Sequence, residues 1–254
     1  MNRVRISIVK AAANRAAALP SLGRTCRRVI VVRSGFHELS ESLLTGNLAT
    51  GSVIKIIGVS NPPPIISYTS KGSNKPLLHI ESGSVVLQNL DLRHHCRGTD
   101  IWEGNAVVHL RPVNSGATSA RSVAPASLRV TNLQPDLPLV CQLPRLFAYG
   151  CTLNSTSGRG VAATAAQAYL DNTAIVKCAA TGVYLGRGSS RDEESYGSLV
   201  AMRCDFSGNG IGGKKKSHET HNIVQRGHSG VYGQEGQIVL YDCDISTNKF
   251  TGVR

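Results

Sequence analysis

Five stretches repeat one pattern of apolar and polar positions: SVVL-QN-LDLRH (84–94), RLFAY-G-CTLNS (145–155), QAYL-DN-TAIVK (167–177), GSLV-AMR-CDFSG (197–208) and QIVL-YD-CDIST (237–247). Set Leu90, Cys151, Thr173, Cys204 and Cys243 at one position. Two residues on come Leu92, Leu153, Ile175, Phe206 and Ile245; three back come Leu87, Ala148, Leu170, Ala201 and Leu240; five back come Val85, Leu146, Ala168, Leu199 and Ile238. Alternation holds within each flank, so each flank is a short strand with one buried face. The phase slips between the flanks, at Gln88-Asn89, Tyr149-Gly150, Asp171-Asn172, Met202-Arg203 and Tyr241-Asp242. A slip at a constant place predicts a corner, and Asn, Asp and Gly favour one.

A third strand belongs to each repeat. Gly160-Val161, Gly182-Val183-Tyr184-Leu185, Gly230-Val231-Tyr232 and Gly252-Val253 occupy it, and Leu77-Leu78-His79-Ile80 is an earlier copy. Three short strands per turn, with like residues over like, predict an all-β chain: a parallel β-helix, a solenoid in which stacking builds the core. Successive key positions lie 61, 22, 31 and 39 residues apart. The excess over the shortest turn falls at 94–105, 111–144, 186–196 and 208–229, always beside the third strand and never at the corner just described. These loops are expected to wall a groove over the third-strand sheet, the usual place for function on a rigid scaffold. Val86, Phe147, Tyr169, Val200 and Val239 point outward from the first flank. They form an apolar stripe that the 111–144 insertion covers or a protein partner uses.

The N-terminal segment, residues 1–28, admits two readings. Ile6, Val9, Ala13, Ala16 and Ala17 recur at helical spacing, as in a helix that caps the open solenoid end. The same stretch is Arg- and Ala-rich and free of acids, like a mitochondrial transit peptide. Val29–Val32 then reads as a strand. At the other end, Phe250–Arg254 stops within a third-strand copy, so that end is expected to self-associate or to be covered by further chain.

Composition changes this picture little. The net charge is +12, but residues 1–33 alone hold eight Lys and Arg and no acid, and Lys214–Lys216 sit in a predicted loop. With no basic stripe along the repeats, no dedicated nucleic-acid binding is expected. No run of 18 apolar residues occurs, so no membrane-spanning helix is expected. The 7 cysteines include no C-x-x-C. Cys151, Cys178, Cys204 and Cys243 fall at or near inward positions, as reduced apolar side chains, which fits a cytoplasmic or nuclear setting, with a mitochondrial one as the alternative.

Two clusters carry candidate chemistry. His94-His95-Cys96-Arg97-Gly98-Thr99-Asp100-Ile101-Trp102-Glu103 holds the single tryptophan. Trp102 and His95 serve there as a binding edge, or Trp102 packs the loop onto the coil. Tyr184 and Tyr232 point outward on successive turns, as a grip on a partner or as a cross-strand pair. Asp192-Glu193-Glu194 and the histidines His218, His221 and His228 read as solvated loop residues, so no metal and no cofactor is expected.

The chain resembles the right-handed parallel β-helix superfamily of pectin-lyase-like folds. The resemblance rests on the opening SIVKAAANRAAALP…RRVIVVRSGFHELSESL, on IIGVSNPPPII (56–66) as a first full turn, and on the repeats. HIESGSVVLQNLDLRHHCRGTDIWEGNAVVHL and CAATGVYLGRG are most similar to its eukaryotic intracellular branch, the repeat domains of F-box substrate receptors and SH2-binding adaptors. This fold hosts enzymes and non-enzymes alike; the complete repeat register without a complete catalytic constellation leads to the expectation of a non-catalytic repeat domain binding a protein or glycan in a loop-flanked groove. The alternative is a polysaccharide lyase or glycoside hydrolase. It would use Asp100 or Glu103 with Arg97, or the 192–194 acids with Ca²⁺.

Overall fold

The structure is a computed structural model; it describes residues 27–45, 52–71, 75–96, 105–112, 143–186, 196–210, 229–234 and 236–254. The described residues form short strands and no helix. The chain runs in circuits. The first holds β1 (Arg27–Val32), β2 (Phe36–Leu39) and β3 (Leu43–Leu44); the second β4 (Val53–Gly58), β5 (Ile65–Ser70) and β6 (Leu78–Ile80). The third holds β7 (Ser84–Gln88), β8 (Asp91–Cys96) and β9 (Ala106–Leu110); the fourth β10 (Arg145–Tyr149), β11 (Thr152–Ser155) and β12 (Arg159–Thr164). The fifth holds β13 (Gln167–Asp171), β14 (Ala174–Ile175) and β15 (Val183–Gly186). The sixth has β16 (Gly197–Met202) and β17 (Val231–Gly233), and the seventh β18 (Gly236–Tyr241). Single bridges at Asp205, Asp244 and Val253 complete these last two.

Strands of successive circuits pair in parallel. The first sheet runs β1-β4-β7-β10-β13-β16-β18, the second β2-β5-β8-β11-β14, and the third β3-β6-β9-β12-β15-β17. Every circuit visits the sheets in the same order, an arrangement compatible with a parallel β-helix. The helix expected within residues 1–28 lies outside the described residues, except that Arg27 and Arg28 already belong to β1, two residues ahead of the strand expected at Val29.

The expected interior column is present. Leu90, Cys151, Thr173 and Cys204 are buried, and Cys243, in the last circuit, is half-buried. Backbone bonds of 2.8–3.1 Å link each position to the next circuit: Thr152 N–H to Leu90 O, Ala174 N–H to Cys151 O, Asp205 N–H to Thr173 O and Asp244 N–H to Cys204 O. Thr173 brings a hydroxyl into this apolar column. It donates to Asp171 O at 3.0 Å and accepts from Cys151 N–H at 3.4 Å, so its burial leaves no polar atom without a partner.

The slip between flanks has a conformational cause. Asn89, Gly150, Asn172, Arg203 and Asp242 occupy equivalent corner positions, all left-handed with φ of 52°, 58°, 47°, 52° and 53°. One such residue per circuit turns the chain through the corner and resets which side chains face inward. The preceding circuit instead spends residues 59–64, including Pro62–Pro64, on that corner, and Asn89 ties it down by donating through Nδ2 to Gly58 O at 3.0 Å and Ser60 O at 2.9 Å.

The repeated Gly-Val of the third strand is explained by close approach. A Cβ at Gly160 would stand 2.1 Å from Ile175 Cγ2, and one at Gly182 would stand 2.5 Å from Gly230 O. Two glycines therefore separate two kinds of constraint. Gly150→Ala meets open space but a positive φ, and is expected to cost about 1 kcal/mol. Gly182→Ala meets backbone, and is expected to cost about 2–3 kcal/mol. Chemical denaturation of the two variants checks the order; equal losses would contradict it.

Candidate functional site

The register that stacks the interior also stacks the exterior. On the outer face of the third sheet it aligns Leu44, His79, His109, Ala162, Tyr184 and Tyr232. Arg254 follows one circuit on, because Val231 bridges to Val253. The rings pair along this column. His79 and His109 stack at 5.1 Å and 13°, Tyr184 and Tyr232 at 5.8 Å and 9°. The Arg159 guanidinium lies 3.9 Å from the Tyr184 ring centre, and that of Arg254 lies 5.9 Å from Tyr232. The order is cation, ring, ring, cation, so the tyrosine faces are engaged within the protein. What the column offers outward is ring edges, hydroxyls and guanidinium groups. Tyr184 donates through its hydroxyl to Gln234 Oε1 at 2.9 Å, which fixes the ring along the strand.

The imidazoles are held neutral. Burial pushes His109 down to about 4, helped by His79, Arg111 and Arg159. Burial also lowers His79, against the opposing pull of Glu81, whose carboxylate lies 3.7 Å from His79 Nδ1. His79 Nε2 is buried with no hydrogen-bond partner. The pair is thus a stack of neutral imidazoles beside Arg111 and Arg159.

Of the residues singled out in the sequence, Tyr184 and Tyr232 are brought together as expected. His95 is exposed on the outer face of the second sheet, hydrogen-bonded to Thr156 Oγ1, and so stands on a different face from the tyrosines. Arg97, Asp100, Trp102 and Glu103 lie outside the described residues. So do Asp192–Glu194, Lys214–Lys216, His218, His221, His228 and residues 113–142 of the long insertion. The outward stripe on the first sheet is present: Phe147 and Tyr169 stack at 4.9 Å and 8°, and its far end, Val239, is 46% exposed.

Three features were not anticipated. His94 points inward, with Nδ1 3.1 Å from Ser155 Oγ and Nε2 2.9 Å from Lys75 O; burial pushes it down to about 4. His79 and His109 were not recognised as partners. Asn209 braces the corner between the second and third sheets, accepting from Cys178 N–H and donating to Ile175 O, both at 2.9 Å. Asn248 repeats the brace one circuit on, accepting from Asn209 N–H at 2.9 Å. Cys151 and Cys178 are desolvated: burial pushes Cys151 up to about 11 and Cys178 to about 12.

No protein-family model matches the chain, and no curated protein and no solved structure matches it. Among the described residues, no three His, Cys, Asp or Glu side chains are grouped so as to hold a metal ion, and no helix is long and apolar enough to cross a membrane.

His94 and His109 set an acid limit on the fold. Each has a folded pKa of about 4 against an ordinary 6.5, so on acidification the unfolded chain takes up the proton first. Their stabilisation is complete above pH 6.5 and is lost as the pH falls toward 4, at about 1.4 kcal/mol per pH unit for each histidine. Urea unfolding between pH 7.5 and 4.5 is expected to show this slope, and His109→Asn to remove one histidine's share; a slope unchanged in that variant would contradict the assignment.

Proposed function

We propose that the chain is a right-handed parallel β-helix of pectin-lyase-like type, and that it acts as a non-catalytic repeat domain. It binds a protein or glycan partner across the outer face of the third sheet. The observation that carries this reading is the in-register outward column, with Tyr184, Tyr232 and Arg254 at one end, the Arg159 guanidinium lying on the Tyr184 face, and the neutral His79–His109 pair at the other. A column held by backbone register is pre-organised, so little ordering entropy is lost when a partner lands on it.

The position of the connecting segments supports the same face. The long connections read from the repeat spacing, 94–105, 111–144, 186–196 and 208–229, each adjoin a strand of the third sheet in the chain order. Because the tyrosine faces are engaged by each other and by guanidinium groups, the partner meets edges, hydroxyls and charge. Recognition is then by hydrogen bonds and ion pairs rather than by stacking a sugar ring flat on a tyrosine. The enzymatic alternative rests on Asp100 or Glu103 with Arg97, or on Asp192–Glu194 with Ca²⁺, all outside the described residues. Glu81, a carboxylate beside this face, lies 3.7 Å from His79 Nδ1.

Binding to an array of neutral and acidic oligosaccharides tests the glycan arm. Photo-crosslinking from Gln234 in native extract tests the protein arm. In either, Tyr184→Ala/Tyr232→Ala is expected to weaken capture about tenfold or more, while Val86→Ser/Val200→Ser on the first sheet changes it less than about twofold. The reverse pattern would place the site elsewhere, and release of reducing or unsaturated sugar ends would refute the non-catalytic reading.

A further inference from the structure

The seventh circuit is the least buried part of the described core. Its inward side chains Ile238, Leu240, Cys243 and Ile245 are only partly buried, whereas their counterparts Leu199, Ala201, Cys204 and Phe206 one circuit earlier are buried. Cys204 and Cys243 occupy the same inward position on these two circuits. Asp205 bridges to Asp244 in parallel, and Asp244 N–H donates to Cys204 O at 2.9 Å. Neighbouring parallel strands stand about 4.8 Å apart, within the roughly 4.4–6.8 Å between Cα atoms that a disulfide spans.

The two thiols lean on one patch of backbone. Cys204 Sγ lies 3.1 Å from Met202 O; Cys243 Sγ lies 3.4 Å from Tyr241 O and reaches back to Ala201 O, on the circuit of Cys204, at 3.6 Å. The neighbouring inward cysteine, Cys151, is set apart from Cys204 by the intervening circuit of Thr173. Cys178 is fully buried at a different corner. Register therefore pairs Cys204 with Cys243 among the described cysteines.

We infer that Cys204 and Cys243 are a modification site at which a low-molecular-weight disulfide forms an intramolecular cross-link between the sixth and seventh circuits. The order of steps follows from access. Cys243, half-buried, attacks the external disulfide as its thiolate; a protein–small-molecule mixed disulfide forms and one small thiol leaves. Cys204 is buried, and burial pushes its thiol up to about 11, so it reacts second. Its thiolate attacks Cys243 Sγ, the Cys204–Cys243 bond forms, and the second small thiol leaves. Two protein thiols are oxidised, one external disulfide is reduced to two thiols, and those thiols carry away the two protons. The cross-link lies in the circuit that carries Arg254, and so ties down one end of the outer stack.

The test is incubation of the intact chain with oxidised glutathione at about pH 8, then thiol counting under denaturing conditions and peptide mapping. The expected result is loss of two of the 7 cysteine thiols, with the Cys204 peptide joined to the Cys243 peptide. Cys204→Ser is expected to stop the reaction with glutathione on Cys243, and Cys243→Ser to leave Cys204 unmodified. An unchanged thiol count, a lasting glutathione adduct on Cys243 in the unaltered chain, or a cross-link through any other cysteine would overturn the inference.

Discussion

The parallel backbone ladder between circuits is the constraint from which the rest follows. Each circuit contributes a strand or a single bridge to each sheet and has no core of its own. Its N–H and C=O groups are satisfied by the circuits before and after it, as in the bonds linking Leu90, Cys151, Thr173, Cys204 and Cys243. Parallel, in-register pairing leaves each side chain over its equivalent. The interior column must therefore be filled by residues that tolerate a like neighbour, and Leu, Ala, Val and free Cys do so. A hydroxyl enters at Thr173 only because the corner backbone supplies both its partners. The left-handed residue at the corner between the first and second sheets, from Asn89 to Asp242, keeps those five circuits in phase with one another.

The same ladder that makes a core by stacking apolar residues inward makes a recognition surface by stacking polar and aromatic ones outward. On the third sheet it lines up two imidazoles and two phenol rings, and the arginines close on the ring faces. The cost of ordering these side chains is met in folding rather than in binding. Register alone does not determine chemistry: the outward column of the first sheet, with its Phe147–Tyr169 stack, is built by the same rule and is chiefly apolar.

Much of the fold was legible in the sequence because the buried positions alternate within each flank and slip at a constant place. The five aligned stretches, the Gly-Val third strand and the loop-bearing corners were all readable from that pattern. Of the candidate site, the outward parity of Tyr184 and Tyr232 was readable, since Val183 and Leu185 flank the first tyrosine. His94 was readable in principle: counting two from the inward Leu92 puts it inside, and leaves His95 outside. The His79–His109 pair was not, because 30 residues and a loop of unrepeated length separate the two, and only the pairing of β6 with β9 sets their register. The Arg159–Tyr184 contact was also hidden. Arg159 is in register with Ala106 rather than with the tyrosine column, and reaches the ring only through its long side chain. The asparagine braces left a weak trace in SGN (207–209) and STN (246–248), which align only once the corner is known.

The stacking of distant segments is most directly measured as a distance along the sheet. Ser84 and Gln237 both lie on strands of the first sheet and are linked in register through Arg145, Gln167 and Ser198. Four strand spacings separate them, about 19 Å. Pulsed electron paramagnetic resonance between spin labels carried on genetically encoded ketone residues at these two positions should give one narrow distribution near about 20 Å once label length is included. A broad distribution, or one centred beyond about 30 Å, would contradict the stacked circuits and every inference built on them.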